Sequence, residues 1–180
     1  RRSTLAEGQE EQEAVVKNIL NEVHQRGDAA LYSFTEKFDG IKLNSLEVPK
    51  AAITAAYQQV DSEIVASLKT AAERIQAYHL NQRTSLVHES TRSGLGWIMR
   101  PLNRVGIHIP GFTAALPSSV LMTVIPAKVA DVNEIFVATP SRKEGGVSPL
   151  TLVACDIAGV NRIFSVGGAH REEGAVPSEK

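Results

Sequence analysis

Apolar residues in the first half of the chain recur at spacings of three and four, the spacing of one face of an α-helix. Over residues 9–26 the pattern is carried by Val15, Val16, Ile19, Leu20 and Val23. Asp61 is a suitable N-cap for the longest helix, which is expected to run from Ser62 to about Gln82. The pattern therefore predicts a helical N-terminal region over residues 1–85.

Short apolar runs alternate with helical segments in the second half. The runs at residues 105–109, 135–138 and 162–166 have the length and composition of buried strands. Helical spacing fills the segments between them, at residues 118–130 and 148–158. A β-α-β-α-β order is typical of a parallel sheet with helical crossovers. We therefore expect an α/β protein in which an incomplete Rossmann-like domain over residues 86–169 follows the helical region.

Several local features refine this picture. Residues 86–89 and 97–99 are expected to form two further strands around a glycine-rich turn. Ser118 and Ser148 are expected to be helix N-caps. Pro126 should kink the first crossover helix or end it early, because proline has no N–H to donate and its ring clashes with the preceding turn.

Composition excludes several classes of function. Hydrophobic residues make up 43% and charged residues 22% of the chain, the balance of a globular protein. The net charge is −1, so no overall field favours nucleic acid or an anionic membrane. No apolar run approaches the roughly 20 residues of a membrane span. The single cysteine, Cys155, lies in an apolar run and is interpreted as a core residue in a reducing, cytoplasmic compartment.

Glycine follows two of the predicted strands, at residues 109–111 and 166–168. Ligands of doubly wound sheets bind at such carboxyl ends, so these junctions are either ordinary turns or part of a nucleotide site. Neither phosphate-binding glycine fingerprint is present. The histidines are His24, His79, His88, His108 and His170. None is spaced from another like a paired metal ligand, so no metal site is predicted.

Residues 105–122 carry the most specific signal in the chain. They read V-G-I-H-I-P-G-F-T-A-A-L-P-S-S-V-L-M, which closely resembles a segment of histidinol dehydrogenases. The R-G-D-A-A-L segment at residues 26–31 and the V-G-G-A segment at residues 166–169 also match, so the resemblance covers about residues 12–169. It implies the N-terminal part of an NAD- and zinc-dependent homodimer that oxidises L-histidinol to L-histidine in histidine biosynthesis.

The departures from the family bear on activity. The zinc ligands and the catalytic Glu-His pair of the family lie beyond the matching region, so the resemblance assigns no catalytic and no metal residue to this chain. Two NAD-contacting positions of the family correspond to His108, where the family has Tyr, and His170, where it has Gln. Phe112 replaces a glycine of the same motif. We therefore expect NAD binding to be weak or absent.

Two hypotheses follow for the chain as a whole. It is either a piece of a histidinol dehydrogenase that is inactive alone, or a non-catalytic relative that acts as a scaffold or dimerisation module. The first residue is Arg rather than Met, which suggests a fragment or a processed chain. Residues 170–180 are polar and expected to be a disordered tail. The last strand is expected to leave an unpaired edge, which favours self-association.

Overall fold

The structure is a computed structural model and describes residues 2–86, 99–111, 114–142 and 145–167. The helices are α1 (Arg2–Arg26), α2 (Asp28–Phe34), α3 (Lys50–Ala56), α4 (Ser62–Leu86), α5 (Pro117–Val129) and α6 (Pro149–Ala158), with a π-helical turn at Thr35–Asp39. The strands are β1 (Arg104–His108), β2 (Glu134–Thr139) and β3 (Arg162–Ser165). The helical first half and the β-α-β-α-β second half predicted from the sequence are both present.

The strands form a parallel sheet in the order β1-β2-β3. Gly106 is in register with Phe136 on β2, and Phe136 is in register with Arg162 on β3. Each neighbouring pair is joined by one crossover helix, α5 or α6. This is the expected incomplete Rossmann-like arrangement, and the fold class is confirmed.

The core lies on the side of the sheet that carries α5 and α6. Its fully buried side chains include Val120, Val124, Ile135, Val137 and Val153. Ala56 of α3 and Leu68 of α4 belong to the same cluster. The N-terminal helical region therefore does not have a core entirely of its own, because α3 and α4 complete the core of the α/β half.

Helix α4 begins as predicted and ends later. The Asp61 carboxylate accepts a hydrogen bond from the Glu63 N–H at 2.7 Å, which is N-capping geometry. The helix continues to Leu86, so the strand expected to begin at residue 86 is wrong there. Arg83 stabilises the extra turn, since its guanidinium donates to the Val129 carbonyl at 2.8 Å. The rest of that expected strand and most of its partner lie outside the described residues, and Met99 is not in a strand.

The N-terminal ends of the two crossover helices correct smaller expectations. Leu116, not Ser118, occupies the N-cap position of α5, because Pro117 takes the first helical position with its fixed φ. Ser148 does occupy the N-cap position of α6, but its side chain makes no capping hydrogen bond.

Pro126 does not end α5 early. The helix continues to Val129, which is buried, and the Ala130 N–H donates to the Pro126 carbonyl at 2.9 Å. Proline removes one hydrogen bond from the helix. The packing of the last turn and its hydrogen bond with Arg83 maintain the helix beyond that position.

The outer edge of β3 is paired, which corrects the expectation of an unpaired last strand. The Val48 N–H donates to the Ile163 carbonyl at 2.8 Å, and the Ser165 N–H donates to the Leu46 carbonyl at 2.7 Å. Glu47 and Phe164 form the antiparallel bridge between them. A short segment from the N-terminal half therefore covers the strand edge that would otherwise be free to recruit another chain.

Candidate functional site

The carboxyl end of β1 places the first candidate cofactor residue. His108 is the last residue of the strand, is exposed, and is in register with Ala138 of β2. Ile109 follows it and is 1% exposed, so its side chain points to the opposite, buried face of the sheet. His108 therefore lies where ligands of doubly wound sheets bind. The second candidate, His170, and Phe112 lie outside the described residues.

Gly111 is explained by packing between two loops. A Cβ atom on Gly111 would lie 3.1 Å from Oγ1 of Thr139, tighter than ordinary van der Waals contact. Thr139 ends β2 and is 1% exposed, so its hydroxyl has little room to move away. The glycine thus lets the loops after β1 and β2 approach each other, which favours the ordinary-turn interpretation of this junction.

Buried hydroxyl groups collect at the carboxyl ends of β2 and β3. Ser141, just after β2, and Ser165, the last residue of β3, are both buried and hydrogen-bonded to each other through their Oγ atoms. The sequence analysis did not single out either residue. The two serines are 24 positions apart, and only the alignment of the strand ends brings them together.

A groove of about 650 Å³ opens beside these serines. Its walls come from α3, from the segment before it and from the loop that joins β2 to α6. Arg142 contributes a cationic side chain to the lining, and Gly145 and Gly146 contribute backbone in left-handed conformations. The loop is closed by the Arg142 N–H, which donates to the Gly146 carbonyl at 2.9 Å. The groove has room for a small molecule, with an apolar wall from α3 and hydrogen-bonding groups in the loop.

The described residues do not fit a zinc ion. Within residues 2–86, 99–111, 114–142 and 145–167, no three His, Cys, Asp or Glu side chains are grouped to hold a metal. His24 is exposed on α1, and His79 is hydrogen-bonded to Gln82 at 2.9 Å. Burial, with a smaller contribution from the Asp156 carboxylate, raises the pKa of the Cys155 thiol to about 12. That thiol is therefore protonated at neutral pH, whereas a metal requires the thiolate.

Cys155 is fully buried within α6, as the sequence predicts for a core residue. None of the described helices is long and apolar enough to cross a membrane.

Known proteins match nearly the whole length of this chain. The family model described as histidinol dehydrogenase matches residues 2–171. A histidinol dehydrogenase of Clostridium acetobutylicum is 46% identical over 167 residues, which cover 91% of this chain and 39% of the relative. One from Geobacillus kaustophilus is 42% identical and covers 93% of this chain and 40% of the relative. The chain thus spans about two fifths of the length of these relatives.

A solved structure agrees with the sequence comparisons. The crystal structure of histidinol dehydrogenase from Elizabethkingia anophelis superimposes with a TM-score of 0.78 at 30% identity. The match covers 87% of this chain and 37% of that chain. Fold, sequence and the motif at the end of β1 therefore agree, and the chain belongs to the histidinol dehydrogenase family of oxidoreductases, corresponding to its N-terminal portion.

Proposed function

We propose that this chain supplies the N-terminal part of the cofactor site of an NAD-linked histidinol dehydrogenase and does not oxidise L-histidinol by itself. The observation that carries the proposal is the extent of the match: nearly the whole chain aligns, yet it spans 39% of the Clostridium relative. Substrate, cofactors and a cytoplasmic location come to this chain through the family. The inactivity comes from the family's zinc ligands and Glu-His pair, which have no counterpart in the matching region.

NAD would supply the hydride acceptor when bound, and this chain's own contribution would be to position it. His108 stands at the strand end where the family has a tyrosine, and its exposed imidazole can donate or accept one hydrogen bond in the neutral form. A side chain at Gly111 would press against Thr139, so packing explains this glycine and it gives no evidence of a pyrophosphate-binding loop. His170 is proposed as the second cofactor position. Both substitutions favour weak NAD binding.

Zinc would orient the substrate in the complete enzyme. The donor sets of the described residues do not fit it, and we derive no step of the reaction through it. In this proposal the metal ligands come from the part of the family that lies beyond the region matched here.

The activity test uses the purified chain with L-histidinol, NAD and zinc, and follows the absorbance of NADH. We expect a rate equal to that of a blank without protein, because no proton-transfer pair is available to the substrate. The full-length Clostridium acetobutylicum enzyme is the positive control. Turnover above the blank would refute the proposed inactivity.

Calorimetric titration with NAD tests the cofactor positions separately. We expect no binding at micromolar concentrations, and stronger binding after His108→Tyr, which restores the family's residue. His24→Tyr is the matched control, since His24 is exposed on α1 and has no proposed role. Micromolar affinity of the unmodified chain would contradict the expected weak binding, and no difference between the two variants would count against His108 as a cofactor position.

A dimerisation scaffold is the second candidate, and α1 favours it. The apolar stripe of this helix is not buried: Val15 is 43% exposed and Leu20 is 59% exposed. A stripe at helical spacing left in solvent is a common binding surface for another helix. A scaffold would need neither NAD nor zinc, so it predicts no gain of NAD binding after His108→Tyr, whereas the first proposal predicts such a gain.

A further inference from the structure

The groove beside Ser141 and Ser165 opens on the opposite face of the sheet from His108. His108 is in register with Ala138, and Ala138 is in register with Phe164, so these three side chains share one face. Ser165 follows Phe164 directly in β3 and therefore points to the other face, where α6 packs. The groove is thus separate from the proposed cofactor position, and the proposed function does not use it.

The two serine hydroxyl groups leave one hydrogen-bond donor without an acceptor. Ser141 and Ser165 are 1% and 5% exposed, and both line the groove. The hydrogen bond between their Oγ atoms uses one of the two hydroxyl protons, because each hydroxyl donates only once. Within the residues that the structure describes, no group accepts the other proton. Burying a donor without an acceptor is unfavourable, so the pair favours an acceptor atom in the groove.

Backbone hydrogen bonds fix the position of this donor. The Ser165 N–H donates to the Leu46 carbonyl at 2.7 Å, and the Val48 N–H donates to the Ile163 carbonyl at 2.8 Å. The segment before α3, which forms one wall of the groove, is thereby attached to β3. Groups that are fixed before a ligand arrives bind it at a lower entropic cost.

The loop between β2 and α6 and the start of α6 give this end of the groove positive character. Arg142 contributes its guanidinium to the lining, and the several N–H groups of a guanidinium can hold a ligand together with another partner. Pro149, the first residue of α6, also lines the groove, so the positive end of the helix dipole lies beside it. Ser148, at the N-cap position, makes no capping hydrogen bond there. These groups favour an anionic acceptor.

Glu47 supplies the only carboxylate among the described residues that line the groove. It accepts two hydrogen bonds from Arg162, at 3.0 and 2.6 Å, and this hydrogen bonding lowers the pKa of Glu47. The charge of Glu47 is therefore balanced by an arginine outside the lining. Glu47 does not turn the groove into a site for cations.

The wall formed by α3 and α6 is apolar. Ala52 and Ala56 of α3 and Leu152 of α6 belong to it, and Ala56 and Leu152 are buried. An apolar wall beside a few fixed polar groups is the usual composition of a small-molecule pocket, and the groove volume falls within the roughly 300–1,000 Å³ of such pockets. The groove therefore combines an anion-binding end with an apolar body.

We propose that the groove binds a small monocarboxylate with an aliphatic chain. The carboxylate accepts hydrogen bonds from the remaining hydroxyl proton of the serine pair and from Arg142, and the aliphatic chain lies against Ala52, Ala56 and Leu152. The observation that carries the proposal is the buried hydroxyl donor at the polar end of this groove. The site goes beyond the proposed function and does not depend on it.

Titration of the ¹⁵N-labelled chain with hexanoate, followed through the glycine amide signals in NMR spectra, tests the proposal. Gly145 and Gly146 line the groove, Gly106 lies in β1, and Gly159 lines a second cleft between α4 and α6. We expect saturable shifts at Gly145 and Gly146, with a dissociation constant of about 1 mM or lower, and unchanged signals at Gly106 and Gly159. Hexanamide, which lacks the charge, should bind about tenfold more weakly.

Substitutions assign the binding to its groups. Combining Ser141→Ala with Ser165→Ala removes both hydroxyls and leaves no buried donor behind, so this double variant is expected to fold. The double variant and Arg142→Gln should each weaken hexanoate binding about tenfold. Ser67→Ala and Arg74→Gln, at exposed positions of α4, are the matched controls and should bind as the unmodified chain does.

Four outcomes would overturn the proposal. The first is a titration without saturable shifts at Gly145 and Gly146, and the second is a shift of equal size at Gly106 or Gly159. The third is equal affinity for hexanoate and hexanamide, which would mean that the groove does not recognise the charge. The fourth is unchanged binding in Arg142→Gln or in the folded double variant, and the dispersion of the other amide signals reports whether each variant is folded.

Discussion

At the scale of single residues, glycines in similar sequence contexts have different roles. Gly106 and Gly111 both lie in the segment that resembles the family motif, five positions apart. A side chain at Gly106 would enter open space, whereas one at Gly111 would press against Thr139. The sequence marks both as motif residues. Only the packing between the β1 and β2 loops distinguishes the one that cannot accept a methyl group.

Gly111→Ala is therefore expected to lower the free energy of unfolding by about 1–3 kcal/mol, the usual range for an added group in a tightly packed site. Urea denaturation followed by circular dichroism would measure it. Gly106→Ala is the matched control and should cost little. Thr139→Ala combined with Gly111→Ala should recover part of the loss. A Gly111→Ala protein as stable as its Gly106→Ala counterpart would contradict the packing role.

At the scale of elements, a long-range hydrogen bond links the C-terminal end of α3 to α6. The Tyr57 hydroxyl donates to the Asp156 carboxylate at 2.7 Å, across 99 positions of sequence. Burial, followed by this hydrogen bond and the carboxylate's charge, raises the pKa of Tyr57 from 10.0 to about 12. The sequence predicts a helical N-terminal region and the helix at residues 148–158 from local patterns, but nothing in those patterns indicates that this tyrosine faces this aspartate.

Removing the hydroxyl with Tyr57→Phe is expected to cost about 1 kcal/mol of unfolding free energy at neutral pH. The folded-state pKa is raised, so this stabilisation is fully present below pH 10 and is lost as the pH rises through about 12. Thermal denaturation at several alkaline pH values would therefore show a steeper decline for the unmodified chain than for Tyr57→Phe. Asp156→Asn should flatten the decline in the same way. Parallel curves for all three proteins would mean that the Tyr57–Asp156 hydrogen bond does not contribute to stability.

At the scale of the whole molecule, we expect self-association to depend on the apolar surfaces that the described residues leave exposed. The exposed apolar side chains of α1 form one such surface, whereas the β3 edge, which the sequence analysis expected to drive association, is paired with residues 46–48. Self-association stays a prediction. Because the β3 edge is paired, we expect it to be caused by exposed apolar side chains rather than by a free strand edge.

Light scattering should give a mass above the 19.4 kDa of one chain if α1 mediates association. The double variant Val15→Ser, Leu20→Ser should shift the mass towards that of the monomer, because it removes the exposed apolar contacts. Asn18→Ser, at an exposed polar position of the same helix, is the control and should not change it. A monomeric unmodified chain would contradict the prediction.

The sequence by itself determined the β-α-β-α-β order of the second half, the parallel α/β class and the family. Helical spacing, short apolar strand runs and the motif after β1 are local, so they can be read along the chain. It also placed His108 near the end of a predicted strand at residues 105–109, and β1 ends at His108. These features depend on neighbours within one helix or strand, so they do not depend on how the elements pack against each other.

Only the tertiary structure decided which residues meet. The Ser141–Ser165 hydroxyl pair, the Glu47–Arg162 ion pair across 115 positions and the pairing of residues 46–48 with β3 depend on how distant segments are brought together. The extension of α4 to Leu86 has the same origin, since it relies on the contact of Arg83 with α5. Local propensity has no information about such partners, whereas packing energies of a few kcal/mol override it. Local patterns in the sequence thus predict most of the fold of this chain, whereas packing between distant segments determines its contacts and exposed surfaces.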